Sequence, residues 1–271
     1  MMAASINLSK QILELEYIMK TIQTYIDTKQ NEFMSHPFFN LLESLNSIEE
    51  ISTFVPELTF WAMTFQDILR INEERVKDPY LKKVARHHRL EDAGHEKWFL
   101  SDKKYMCQMA KTQHEEGNDV ISLYSKDSQL IRDAAYALMS EIFQAEDEAV
   151  NIALLLTLES SGHVFFDKVV KQVKKTGEDK NLQYFSSSHL EVELAHAMFE
   201  EEMEKTLFAK RLPITTRRAA LKMIDRCYDA FNKMFDGLVL ACNKRLEQAN
   251  LRTENAANSS SAVGRIENQA I

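Results

Sequence analysis

The stretch Ser188-His189-Leu190-Glu191-Val192-Glu193-Leu194-Ala195-His196 decides how this chain is read. His189, Glu193 and His196 stand at positions i, i+4 and i+7. At ~100° per residue they fall within about 60° of one another on one helix face. Glu200 and Met203 continue that face, and Leu190, Leu194, Ala197, Met198 and Phe199 flank it. A surface helix normally keeps its polar stripe on the side away from its apolar one. Here two imidazoles and a carboxylate have apolar shoulders, and such donors at this spacing are what iron or manganese takes from a helix. The plain alternative is a solvated face with two incidental histidines, and this segment alone does not separate the two.

Two further segments carry the same chemistry. In His87-His88-Arg89-Leu90-Glu91-Asp92-Ala93-Gly94-His95, the residues His88, His95 and either Glu91 or Asp92 share a face. Carboxylate-x-x-His is the (i, i+3) pair that di-iron bundles use. Gly94 reads as a mid-helix glycine, costing ~1 kcal/mol relative to Ala, which a close approach of backbone or ligand would explain. A charged, exposed face is the competing reading. Glu159 sits on the apolar stripe formed by Ile152, Leu155, Leu156, Phe166 and Val170, as does His163. A carboxylate facing a core must be paired, protonated or bound to metal, and a buried salt bridge is the alternative. Glu148, on the same stripe, is a weaker candidate. One such cluster is unconvincing; three on separate long helices point to a metal centre.

The rest of the chain supplies the scaffold. Six Gly and four Pro in 271 residues are too few for a turn-rich β architecture. An all-α fold of about seven helices is expected: 8–29, a short one after His36-Pro37, 47–74, 78–107, one or two over 128–175 with a break near Gln144, 182–208, and 215–248. Ser47-Ile48-Glu49-Glu50 is a capping-box signature, and Pro79 suits a first helical turn. The segment 112–119 reads as a loop. One domain is expected over 1–249, followed by a disordered tail over 250–271, where Asn, Ser, Ala and charge carry no periodicity. The net charge of −8 argues against a nucleic-acid surface. No apolar run approaches the ~20 residues of a membrane helix, and residues 1–10 lack the pattern of a cleaved signal. Three widely spaced cysteines, Cys107, Cys227 and Cys242, read as free thiols in a reducing bacterial cytoplasm.

These residues resemble the heme-oxygenase-like superfamily, in particular its di-iron oxidase and oxygenase branch, related to the TENA/THI-4/PQQC-like fold. Ser35-His36-Pro37-Phe38-Phe39 resembles the His-Pro-Phe start seen across the fold. Glu91-Asp92-Ala93-Gly94-His95, followed by Trp98, Phe99 and Leu100, resembles the acidic-acidic-x-Gly-His helix. His189-x-x-x-Glu193-x-x-His196 is similar to the final His-x-x-x-acid-x-x-His motif, and Leu158-Glu159-Ser160-Ser161 falls where the family places a single Glu ligand. The resemblance spans about 33–207. It implies a single heme-oxygenase-like bundle with metal ligands Asp92, His95, Glu159, His189, Glu193 and His196. The family usually has Glu where this chain has Asp92, so Glu91 stays open as the first carboxylate. His88 lies one turn further back, where some members place theirs. Glu193 stands in for a common Asp.

The resemblance further implies two Fe(II) ions, dioxygen as co-substrate and no heme. The expected activity is oxidation or oxygenation of a small amine, amino-acid or fatty-acid-like molecule, with neither nucleic acid nor membrane as partner. Dimers are common in the fold, so a homodimer is compatible with it. Three rivals stand beside this reading. A heme oxygenase would need an axial His, for which His36 is early enough but is followed by Pro. A thiamin-degrading relative would need a nucleophilic Cys beside an acid–base pair, which Cys107 and Cys227 lack in sequence. A non-catalytic interaction protein, such as one delivered by a bacterium into a host cell, would suit the acidic surface and the 12 Met. Trp61 and Phe65 read as ordinary core packing.

Overall fold

The computed structural model describes the backbone of residues 18–110, 119–195 and 201–267, and the side chains of 18–110, 121–192 and 203–252. Its α-helices are α1 (Met19–Phe33), α2 (Pro37–Ser44), α3 (Ile48–Ile51), α4 (Val55–Arg75), α5 (Pro79–Glu91), α6 (His95–Met109), α7 (Asp119–Leu123), α8 (Gln129–Gln144), α9 (Glu148–Thr176), α10 (Ser187–Ala195), α11 (Glu201–Phe208) and α12 (Ile214–Glu267). No strand occurs among the described residues; a lone bridge joins Ile18 to Arg211. The architecture is all-α, as the sequence implies.

Local chemistry starts and stops these helices where the sequence places the signals. His36 is the N-cap of α2: its Nδ1 accepts from the Phe38 N–H at 3.1 Å, and Pro37 fills the first turn. The Ser47/Glu50 capping box is complete at the start of α3. Asp78 Oδ1 accepts from the Tyr80 and Leu81 N–H groups, each at 2.9 Å, and so opens α5. Such caps satisfy donors that a helix start would otherwise leave unpaired. Gly177, at φ 82°, closes α9 in the left-handed conformation that glycine adopts without steric cost.

The helices are more numerous and shorter than expected. The segment expected as one helix over 47–74 divides after Ile51, and that over 78–107 divides at Asp92–Gly94. The open question near Gln144 resolves as a break, because α8 ends there and α9 begins at Glu148. Residues 182–186 are not helical. The final helix does not stop at Gln248. It runs on through Glu267, into the segment expected as a tail from 250 onward. Extending a formed helix fixes one residue per hydrogen bond gained, and no proline interrupts this segment. The loop expected over 112–119 lies outside the described residues up to 118; Asp119 begins α7.

α9 is the spine. It packs against α12, α1, α5, α2 and α10, while α8 lies between α4 and α12. By length and composition α9 could cross a membrane, yet 78% of its most apolar window is buried inside the protein, as suits a core helix. Beside it Phe235 of α12 gathers Phe33, Phe38 and Phe39 at ring-centroid distances of 4.9, 5.0 and 5.4 Å. Edge-to-face aromatic packing of this kind adds about 0.5–1.5 kcal/mol per pair beyond area burial. Two ion pairs to buried carboxylates tie α12 to its neighbours. Arg245 grips the buried Glu57 of α4 with both terminal nitrogens, and Arg226 grips Glu141 of α8 at 2.6 and 2.5 Å.

Candidate metal centre

The centre is built at the joint between α5 and α6 and against the middle of α9. Asp92 is the C-cap residue of α5, and its N–H bonds the His88 carbonyl at 3.1 Å. Gly94 follows at φ 101°, and His95 starts α6. Gly94 is therefore not mid-helix. A Cβ there would meet nothing within 4 Å, so the glycine serves the left-handed turn and not a close approach. The joint lets His88 and Asp92 come from the end of one helix and His95 from the start of the next.

His88 is 2% exposed. Its Nε2 lies 2.9 Å from Asp92 Oδ2 and 2.5 Å from Glu159 Oε1. Both His88 nitrogens are buried, and neither meets a hydrogen-bond partner among the described residues; the two carboxylate contacts are ion-pair contacts. Asp92 reaches His95 with its other oxygen, Oδ1 to Nδ1 at 3.2 Å. Glu159 Oε2 faces His163 Nε2 at 3.6 Å. One donor atom from each of His88, Asp92 and Glu159 fits within 4.8 Å of the others. A nitrogen and two carboxylate oxygens so grouped suit a divalent first-row cation.

Charge reinforces the grouping. Burial alone would make the His88 imidazole harder to protonate, but Glu159 and Asp92 outweigh it and hold the ring well above the usual histidine range. Burial likewise pushes the Asp92 carboxyl up, yet the imidazoles of His88 and His95 beside it leave it well below the usual carboxylate range.

His189 stands on the far side of His95, with ring centroids 4.5 Å apart. Trp98 stacks on His95 at 4.6 Å, and Phe166 meets His189 edge-on at 4.7 Å. His189 Nδ1 lies 2.7 Å from the Tyr184 carbonyl oxygen. A carbonyl only accepts, so Nδ1 carries the hydrogen of this contact. Metal-binding histidines are commonly oriented this way.

Of the sequence-predicted ligands, Asp92, His95 and Glu159 are brought together and His189 adjoins them. Glu193 lies on α10, but its side chain is outside the described residues, and so is all of His196. Between the two carboxylates left open, Glu91 pairs with His87 at 3.0 Å, and Asp92 faces the centre. His88 is the residue missing from the predicted set. Its i, i+4 spacing to Asp92 and i+7 spacing to His95 were the available signal. Glu148, the weaker candidate, accepts from the Asp78 N–H at 2.6 Å and takes no part.

A cavity of about 90 Å³ opens beside Asp92, His95 and Glu159. Trp61 and Phe65 line it, so they do more than pack the core. The other candidates for chemistry are otherwise engaged. His36 uses Nδ1 as a helix cap and places Nε2 3.3 Å from Asp236 Oδ1. Cys227 is buried beside Met223, its Sγ 3.4 Å from the thioether sulfur, and burial pushes its thiol far above the usual range, so it is no nucleophile.

The chain is similar to the crystal structure of a domain of unknown function with a heme oxygenase-like fold from Shewanella denitrificans OS217. The two share 13% identity, with a TM-score of 0.59 over 84% of this chain and 94% of that one. This likeness shows the heme-oxygenase-like fold. No family model matches the chain. No curated protein matches it either.

Proposed function

We propose that the chain is a non-heme, iron-dependent oxidase or oxygenase that takes a small molecule into the cavity beside Asp92, His95 and Glu159. The observation that carries this reading is the cluster of His88, Asp92 and Glu159, with His88 buried and one donor atom of each residue within 4.8 Å of the others. One ion would be held by these three. A second would be held by His95 and His189 together with Glu193 and His196, which follow on the chain. Bound Fe(II) would supply the reaction with dioxygen. The protein's own part is to hold donors and exclude water. His88 and Asp92 are fixed by the turn before Gly94, His189 is oriented through Tyr184, and Trp98 and Phe166 keep the imidazoles in an apolar surround.

Anaerobic titration with Fe(II), or with Mn(II) as a redox-inert probe, tests the assignment by calorimetry and metal analysis. Two equivalents in the native protein, a clear loss in His88→Ala and in a His189→Ala/His196→Ala double variant, and oxygen uptake on adding reductant are expected. A well-folded protein that takes up no metal would favour the non-catalytic interaction protein instead. Full metal retention by both variants would place any ion elsewhere.

A further inference from the structure

Residues 182–186 lead into α10 without helical structure, yet Phe185 and Ser186 are fully buried. A buried stretch outside regular structure must find partners for its N–H groups elsewhere. Two of them find Asp102 of α6, itself 1% exposed. Its Oδ1 accepts from the Gln183 N–H at 2.8 Å, and its Oδ2 accepts from the Phe185 N–H at 3.0 Å. The two bonds bracket Tyr184, whose carbonyl oxygen lies 2.7 Å from His189 Nδ1. Ser186 tightens the turn from within. Its Oγ donates to the Gln183 carbonyl at 2.7 Å and accepts from the His189 N–H at 3.2 Å.

His95 and Asp102 stand seven residues apart on α6, within about 20° of each other around the helix. The helix that supplies one imidazole of the pair therefore also fixes the carbonyl that orients the other. We propose that Asp102 is the positioning residue for His189: through the peptides on either side of Tyr184 it sets the angle at which this ring faces His95. The proposal rests on the metal assignment above and adds how the His95 and His189 half of that centre is held. The residue type suits the task. A carboxylate presents an acceptor oxygen to each of the two N–H groups, whereas an amide would turn its own N–H toward one of them. Simple anchoring of the chain to α6 is provided elsewhere. The Tyr105 hydroxyl donates to Glu178 Oε2 at 2.6 Å, ahead of the turn and away from Tyr184.

Asp102→Ala, Asp102→Asn and the control Tyr105→Phe are compared in the full chain. Calorimetric titration with Mn(II) counts the ions and reads their affinities. Nuclear magnetic resonance of metal-free protein carrying ring-labelled histidine follows exchange of the His189 ring N–H, assigned by its loss in His189→Gln. Asp102→Ala should keep the ion expected at His88, Asp92 and Glu159. It should weaken the ion expected at His95 and His189 by about 10–100-fold, the range for groups that orient a metal-binding histidine. Asp102→Asn, which keeps one acceptor oxygen, should fall between native and Ala, and it carries the comparison if Asp102→Ala does not fold. The metal-free His189 ring N–H should exchange at least about tenfold faster in the Ala variant. Tyr105→Phe should move neither reading. Equal weakening of both ions, or of neither, overturns the proposal while leaving the metal centre standing. So does a Tyr105→Phe variant that reproduces the Asp102 effect. Native protein that takes up no metal sinks the oxygenase reading. Ring exchange then decides alone whether Asp102 holds His189, and an unchanged rate overturns the proposal.

Discussion

His88 Nε2 and Glu159 Oε1 meet at 2.5 Å, joining the end of α5 to the middle of α9 in the interior of the bundle. Asp92 completes the contact from the other side at 2.9 Å. In the metal-free protein, removing the imidazole leaves two buried carboxylates facing each other. Breaking a buried ion pair by deleting one partner costs about 3–5 kcal/mol, because the remaining charge is unpaired. His88→Leu should therefore lower metal-free stability by about 3 kcal/mol in urea unfolding at pH 7. Adding Glu159→Gln in the same chain should recover much of the loss. A single substitution that leaves the urea midpoint in place would show that the contact carries no net charge interaction.

The same cluster sets a pH dependence. Burial disfavours the charged His88 ring, but Glu159 and Asp92 overcome it and raise its proton affinity. A raised folded-state value stabilises fully below the unfolded histidine value of ~6.5 and is lost as pH climbs through the folded one. Asp92 is shifted down, so its contribution is present above ~3.9 and is lost as pH falls through its depressed value. Metal-free protein should thus gain most from this cluster between roughly pH 4 and 6.5, and stability should decline on the alkaline side. Metal reverses the preference, since coordination needs the neutral ring. Mn(II) binding near pH 7 should release about one proton, read by calorimetry in buffers of different ionisation enthalpy, and affinity should rise with pH.

Gly94 offers a cleaner test of geometry. Its φ of 101° is strained for any L side chain, while a Cβ there meets no neighbour. Gly94→Ala should cost about 1–2 kcal/mol from backbone strain alone, a fall of a few degrees in Tm, and Gly94→Asn should cost less. Since the turn places His95 against Asp92, Gly94→Ala should also weaken Mn(II) binding. Unchanged affinity would mean that the joint is not what positions the donors.

Glu57, 5% exposed on α4, depends on Arg245 of α12. Arg245→Met should destabilise by about 3 kcal/mol, while the double variant Glu57→Gln/Arg245→Met should lose much less. A double-mutant cycle in urea separates the coupling from lost packing. Metal binding should be unaffected, because neither residue approaches the centre.

The helical class and much of the centre were legible because they rest on periodicity and on donor chemistry. Glu159 was visible as a carboxylate on an apolar stripe, and it does face inward. His95 and Asp92 followed from spacing and resemblance. The joint at Gly94 was not legible: a glycine in a polar helical pattern looks like a tolerated interior residue, and only the backbone reveals its positive φ. His88 was read on the face shared with His95, but the ligand set that the resemblance implies leaves it out. With the chain turning at Gly94, His88 becomes the most deeply buried donor of the group. Trp61 and Phe65 carry no sequence signal that separates wall from core, because both faces of such a wall are apolar. The extension of α12 past Gln248 was invisible for a different reason, since it lacks the apolar stripe on which periodicity depends.

The burial of α9 has a consequence for the order of synthesis. This helix, long and apolar enough to cross a membrane, leaves the ribosome well before α12, which later covers one of its sides. Until some 60 further residues have been made, the side of this segment that α12 will cover stands open. The nascent chain must be kept from other hydrophobic partners, bilayers included, through that interval. Phe235 then closes the bundle by seating itself among rings that have waited since the first forty residues.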